Sequence, residues 1–312
     1  MLTTLDVLES ITPMLANSSR PEVLPTLVGT HVFDQKLDGV RALAAWSEND
    51  FAIRNRNGRD LTMAYPDLCL AGTVYDGPLI LDGEIIAESG KFEDIAWRDK
   101  QKGHPDAVKK VPARFVAFDV LHHPEHGDVR HLPYARRRQL LQGLGLSGWF
   151  DVSLCSPDPQ FFERIKALGG EGVIAKTLTG RYVKGRSNDW LKVKALYSVT
   201  ALVTGYEPGS GARSELGAIY VSLLAEMPNG GRMVQPIGKA GSGFSVTTSL
   251  EMKDLIEHAS STGLLEDFPV VEIECLGVTR SGVLRQPTYK GLRTDKAALD
   301  CTADQLDDIP RT

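Results

Sequence analysis

Hydrophobic positions along the chain alternate with polar ones at a spacing of two in many short stretches, and follow a helical spacing in only a few. Residues 31–46 (HVFDQKLDGVRALAAW) and 51–57 read as two strands joined by the polar turn Ser47, Glu48, Asn49 and Asp50. Further strands are predicted at 78–87 (PLILDGEIIA), 113–121 (ARFVAFDVL), 172–176 (GVIAK) and 189–195 (DWLKVKA). Two amphipathic helices stand among them. Segment 158–168 offers Asp158 as N-cap, Pro159 in the first turn, a stripe of Phe161, Ile165 and Leu168, and a Gly169-Gly170 stop. Segment 133–144 sets Arg136, Arg137 and Arg138 beside Leu140, Leu141 and Leu144, and the basic face reads as solvated. After Lys194 the texture changes. Short strands at 199–206, 217–225, 232–238 and 270–278 are spaced by Gly-rich turns, with one helix expected at 249–259.

About five strands around one helix predict a small β-barrel of the oligonucleotide-binding (OB) type. A boundary is expected near 197–199. The length of 312 residues fits two domains, 1–197 and 198–312. Composition (42% hydrophobic, 24% charged) is that of a globular chain and excludes disorder and coiled coil. No apolar run reaches the roughly 18 residues of a membrane helix, and the N-terminus lacks a basic secretory signal. A cytoplasmic protein without a membrane partner is the expectation. Cys69, Cys155, Cys275 and Cys301 lie far apart, which points away from disulfides and from a Cys-based zinc site. The net charge of −5 argues against nucleic acid until its distribution is seen. Residues 1–198 balance 25 basic against 25 acidic side chains, and the deficit belongs to 199–312, partly to an acidic tail. A local basic groove is therefore compatible with the total.

The sharpest chemical signal is Lys36-Leu37-Asp38-Gly39-Val40-Arg41. Read as strand, it puts Lys36 and Asp38 on one face, with Gly39 allowing close approach. An amine that can act as nucleophile, a carboxylate that can hold metal and a guanidinium that can neutralise phosphate make a phosphate-chemistry cluster. An exposed strand of alternating charge would look the same. Each other candidate also has a plain reading: Phe118 as core, Glu84 and Glu171 as strand-end carboxylates, Lys192 and Lys194 as a half-exposed strand. The basic stretch 98–110 reads as a surface loop, with phosphate contact second. His122, His123 and His126 suggest metal, but Pro124 and Gly127 make this a turn without helical ligand spacing, so the metal reading is set aside.

An ordered series of motifs decides between these readings. KLDGVR resembles motif I of the covalent nucleotidyltransferases: ATP-dependent DNA ligases, RNA ligases and capping enzymes. Arg56 in IRNRNG resembles motif Ia, Asp82-Gly83-Glu84 motif III, and Phe118-Asp119 motif IIIa. Glu171-Gly172-Val173 resembles motif IV, Lys192 and Lys194 in WLKVK motif V, and Arg293 to Lys296 (RTDK) motif VI. The likeness spans about residues 12–300 and is strongest to small bacterial or phage ATP-dependent DNA ligases.

The resemblance implies an α+β fold, with an adenylation (nucleotidyltransferase) domain of antiparallel sheets and flanking helices followed by an OB-fold β-barrel. It implies that Lys36 attacks the α-phosphate of ATP to give lysyl-AMP. Phe118 would stack on adenine near Gln35, with Asp34 standing where relatives often carry Glu. Glu84 would bind ribose. Arg41, Arg56 and Arg186 would contact AMP or a DNA 5′-phosphate, and Lys192 and Lys194 the α-phosphate. Arg293 and Lys296 would orient pyrophosphate, and Asp38 and Glu171 would hold Mg²⁺ (or Mn²⁺). Nearby cations are expected to lower the pKa of Lys36. The implied partner is nicked duplex DNA, bound by a monomer. An RNA ligase or capping enzyme is the alternative, and a non-catalytic nucleic-acid binder the reading from another class.

Overall fold

The alternating stretches become sheet in a computed structural model that describes residues 4–47, 50–72, 78–211 and 214–311. Glu48 and Asn49 of the expected turn lie outside the described residues. The chain divides into two compact units, Met1–Ala195 and Leu196–Thr312.

The first unit carries β1 (Met14–Ser19), β2 (His31–Gln35), β3 (Val40–Trp46), β4 (Phe51–Asn55), β5 (Leu79–Ala87), β6 (Ala113–His123), β7 (Gly127–Asp128), β8 (Phe150–Val152), β9 (Cys155–Ser156), β10 (Gly172–Thr177) and β11 (Gly185–Lys194). One sheet has the order β1-β11-β10-β2-β9, and the other runs β4-β3-β5-β6-β7 with β8 against β6. Most pairings are antiparallel; β1 with β11 and β6 with β8 are parallel.

Period-two alternation sorts the side chains into layers. On β11, Val193 and half-buried Leu191 pack outward with Phe33, Phe162 and Ile165, while Trp190 turns to the opposite face. On β3, Ala42, Ala44 and Trp46 join the outer core of their sheet, while Leu43 and Ala45 turn inward. The inward side chains Met14, Leu43, Ala45, Ile80, Leu121, Tyr182 and Trp190 form a layer shared by the two sheets. Two apolar sheet faces are thus clamped together at one end, which leaves room for polar residues at the other.

Four expectations are corrected. KLDGVR is not continuous strand: β2 ends at Gln35 and β3 begins at Val40, so Lys36–Gly39 form the link between strands of different sheets. The helix expected at 158–168 is Phe161–Ala167. Asp158 accepts from the backbone of Gln160 ahead of it, Phe162 and Ile165 are buried, and Leu168 is 85% exposed. The arginine face is not solvated. Arg137 is buried in a bidentate pair with Asp119, Arg138 is buried against Ser153, and only Arg136 is exposed. Stretch 98–110 is largely helical (Phe92–Asp99, Pro105–Lys110), with Arg98 buried against Asp67.

The second unit is one antiparallel sheet of β12 (Tyr197–Glu207), β13 (Ala218–Glu226), β14 (Arg232–Ala240), β15 (Val270–Cys275) and β16 (Thr288–Leu292), ordered β14-β13-β12-β15-β16. Helix Val246–Thr262 connects β14 to β15. It starts earlier than expected because Ser245 and Thr248 form a reciprocal capping box. Its Met252 and Ile256 join the apolar core of this unit.

Candidate active site

The two sheets of the first unit part around a cleft of about 340 Å³. One wall comes from β2, β10 and β11 and their links, which bring Asp34, Gln35, Lys36, Glu171, Lys176, Arg186, Trp190, Lys192 and Lys194. The other comes from β3, β5 and β6, bringing Arg41, Glu84 and Phe118, with Arg56 just beyond β4. Residues from the beginning and the end of the first unit therefore face one volume.

Lys36 is held by its backbone, whose N–H donates to Gly172 O at 2.9 Å, and its ammonium pairs with Glu171. Two glycines permit that approach. A Cβ on Gly39 would lie 2.2 Å from Ile85 O, and one on Gly172, at φ +122°, would lie 2.1 Å from Val193 O. Burial raises the pKa of Glu171, and the charge of Asp38 adds to the rise, against the opposing pull of Lys36. Burial pushes Glu84 up to about 8, with Lys36 and Arg41 opposing and Glu171 and Asp82 adding. Burial, then the charges of Arg186, Lys194, Lys36 and Arg56, holds Lys192 below its ordinary pKa. Five cations therefore crowd one end of the cleft, which is a site for an anion.

The same cleft is lined by the half-buried ring of Phe118, edge-on to Trp190 with centroids 6.0 Å apart. Arg41 lies 5.3 Å from the Phe118 centroid and is locked on Asp82 by bonds of 3.0 and 2.7 Å. Tyr182 donates to the same carboxylate at 2.6 Å. Behind the ring lies a residue that the motif reading missed. Lys176 is 1% exposed, donates to Asp34 at 2.7 Å and to Phe118 O at 2.9 Å, and stands 4.6 Å from both the Phe118 and Trp190 rings. Asp34 is equally buried, accepts from Tyr134 at 3.0 Å, and leaves Oδ1 without a partner. The signal for Lys176 was its alternation with Ile174 on β10, which puts both on the cleft side. Arg293 and Lys296 lie in the second unit, where Arg293 pairs with Glu272 at 2.6 Å and with Asp295 at 2.8 Å.

The family model described as ATP dependent DNA ligase domain matches residues 13–194, more than half of the chain and the whole of this cleft. The chain belongs to that family. Among relatives of these ligase domains, the multifunctional non-homologous end joining protein LigD of Pseudomonas aeruginosa is 29% identical over 89% of this chain and 35% of its own length. A DNA ligase of Haloferax volcanii is 31% identical over 91% of this chain and 53% of its own length. The chain thus spans about a third to a half of these curated relatives. Among solved structures, the ligase domain of Mycobacterium tuberculosis LigD is similar with a TM-score of 0.54 and 25% identity, covering 94% of this chain and 98% of that one. Among the described residues, no helix is long and apolar enough to cross a membrane.

Proposed function

We propose that this chain is an ATP-dependent DNA ligase that seals 5′-phosphate/3′-hydroxyl nicks in duplex DNA. Residues 1–197 serve as its adenylation domain and 198–312 as an OB-fold domain, acting as a cytoplasmic monomer. The observation that carries the reading is the pairing of one amine, Lys36, with Glu171 in a cleft that ends in four further cations and an aromatic plate. Membership of the ligase-domain family supports it.

An ordinary lysine is protonated at pH 7, so attack requires its proton to leave. Glu171 is hydrogen-bonded to Lys36 and is held above the usual carboxylate range by burial, which suits it to take that proton. Lys36 Nζ then bonds to the α-phosphorus of ATP while the bond to pyrophosphate breaks. Arg56, Arg186, Lys192 and Lys194 neutralise the charge that builds on the phosphoryl oxygens. Phe118 offers its ring to adenine, with Asp34 and Gln35 beside it, and Glu84 and Arg41 line the sugar side. In the second step a 5′-phosphate oxygen of DNA displaces Lys36 from phosphorus, and the amine recovers its proton. In the third the 3′-hydroxyl attacks that 5′-phosphate and AMP departs.

Asp38 and Glu171 are hard oxygen donors close enough for their charges to interact, and this donor set suits Mg²⁺ or Mn²⁺. They would hold the ion, which supplies charge neutralisation at the phosphates. Arg293 and Lys296 orient the pyrophosphate leaving group. The test is sealing of an end-labelled nicked duplex, with DNA or RNA on either strand, under ATP, GTP or NAD. Sealing of DNA under ATP alone is expected, and sealing confined to RNA strands would replace this reading with an RNA ligase.

A further inference from the structure

The turn between β6 and β7 gathers His123, Glu125 and His126, and one ligand atom from each lies within 4.8 Å of the others. None of the three lines the cleft. His123 lies five residues beyond Phe118 on the same strand. We propose that these three side chains form a site for a divalent transition-metal ion, zinc foremost, separate from the phosphate chemistry.

The linear pattern argued against metal because it lacks the ligand spacing of a helix. The folded turn supplies the convergence by other means. His126 N–H donates to His123 O at 3.2 Å, and Gly127 continues the bend at φ +66°. The two imidazole rings end with centroids 4.9 Å apart. His123 is buried and forms a fixed anchor, while Glu125 and His126 are exposed and can adjust. Tetrahedral zinc ligands at about 2.1 Å from the metal stand roughly 3.4 Å from one another. Closing the remaining gap of up to about 1.4 Å lies within the rotamer freedom of two exposed side chains.

Two imidazoles with one carboxylate match the preference of zinc and its neighbours for nitrogen, and leave a fourth position for water. Magnesium, which favours all-oxygen sites, is a poor fit. The adjoining groups have other partners: His122 contacts Pro78 O at 2.9 Å, and Asp128 is bound to Arg130. One existing bond stands in the way, from Glu125 N–H to His123 Nδ1 at 3.2 Å. Metal at Nδ1 replaces it, and metal at Nε2 moves the ring proton to Nδ1; only this weak contact is given up.

The test is calorimetric titration of the untagged chain with ZnCl₂, with excess Mg²⁺ present to fill all-oxygen sites. The expected result is one zinc ion per chain and a rise in melting temperature on binding. His126→Ala, at an exposed position, should weaken binding at least about tenfold, since outer-sphere losses alone can reach that size. Glu125→Gln should weaken it as well, and melting curves without metal establish that both variants fold. Absence of zinc binding by the wild type, or equal affinity in His126→Ala, overturns the proposal. The readout is independent of ligase activity, so it stands or falls apart from the proposed function.

Discussion

At the scale of single residues, burial pushes the Glu84 carboxyl up to about 8 against an ordinary 4.5. A carboxyl whose folded pKa is raised contributes stability that is complete below about 4.5 and is lost as pH rises through about 8. Glu84→Gln keeps the shape without the buried charge. Its melting temperature should therefore gain on the wild type progressively between about pH 5 and pH 9. A constant difference across that range would place Glu84 in a solvated environment. Asp34 and Lys176 form an ion pair at 2.7 Å with both side chains buried. Lys176→Met should destabilise the fold by up to about 3–5 kcal/mol in urea melts, because it leaves Asp34 with Tyr134 and, at 3.9 Å, Arg138 as its remaining partners. Combining Asp34→Asn with Lys176→Met should recover part of that loss. Additive losses would mean that the two charges do not interact. Motif spacing made Lys36, Glu84 and Glu171 legible, but it could not reveal this pair. Its members are 142 positions apart, and a lone lysine on an alternating strand looks solvent-facing until the opposite sheet covers it.

At the scale of elements, the site depends on links rather than on strands. Lys36 stands just past the end of β2 and Glu171 just before β10, and the antiparallel register Val173 to Gln35 brings the two together. Gly172 secures that junction through its positive φ and its lack of a Cβ, which would collide with Val193 O. Gly172→Ala would need both strain and displacement, which together amount to roughly 1–3 kcal/mol. A lower melting temperature and impaired AMP transfer to Lys36 are expected; unchanged labelling would show that the junction tolerates movement. Alternation located most of the strands, yet it ran β2 into β3, since KLDGVR continues the period while its chain passes between sheets. The same local view left Arg137 on a solvated face. The carboxylate that receives it, Asp119, comes from β6, 18 residues earlier. Strand β16 went unmarked because TYKGL has little alternation of its own and is held by pairing with β15.

At the scale of the whole molecule, the negative total charge and the basic cleft coexist because the excess acids belong to residues 199–312. Composition alone would have argued against a nucleic-acid enzyme, whereas the ordered motifs pointed to the ligase family. Arg293, in the second unit, tests how labour is divided along the chain. Pyrophosphate leaves only in the first step, so Arg293→Ala should cripple formation of lysyl-AMP and largely spare closure of a nick supplied already adenylylated. Equal loss in both assays would reduce Arg293 to its ion pairs with Glu272 and Asp295. The central claim is that Lys36 carries AMP covalently, and the direct measurement is incubation with α-labelled ATP and Mg²⁺ followed by denaturing electrophoresis. Wild type should carry an acid-labile label, and Lys36→Arg should carry none, because a guanidinium stays protonated and cannot attack phosphorus. A label that persists on the Lys36→Arg protein, or a wild type that takes up none, would contradict the account.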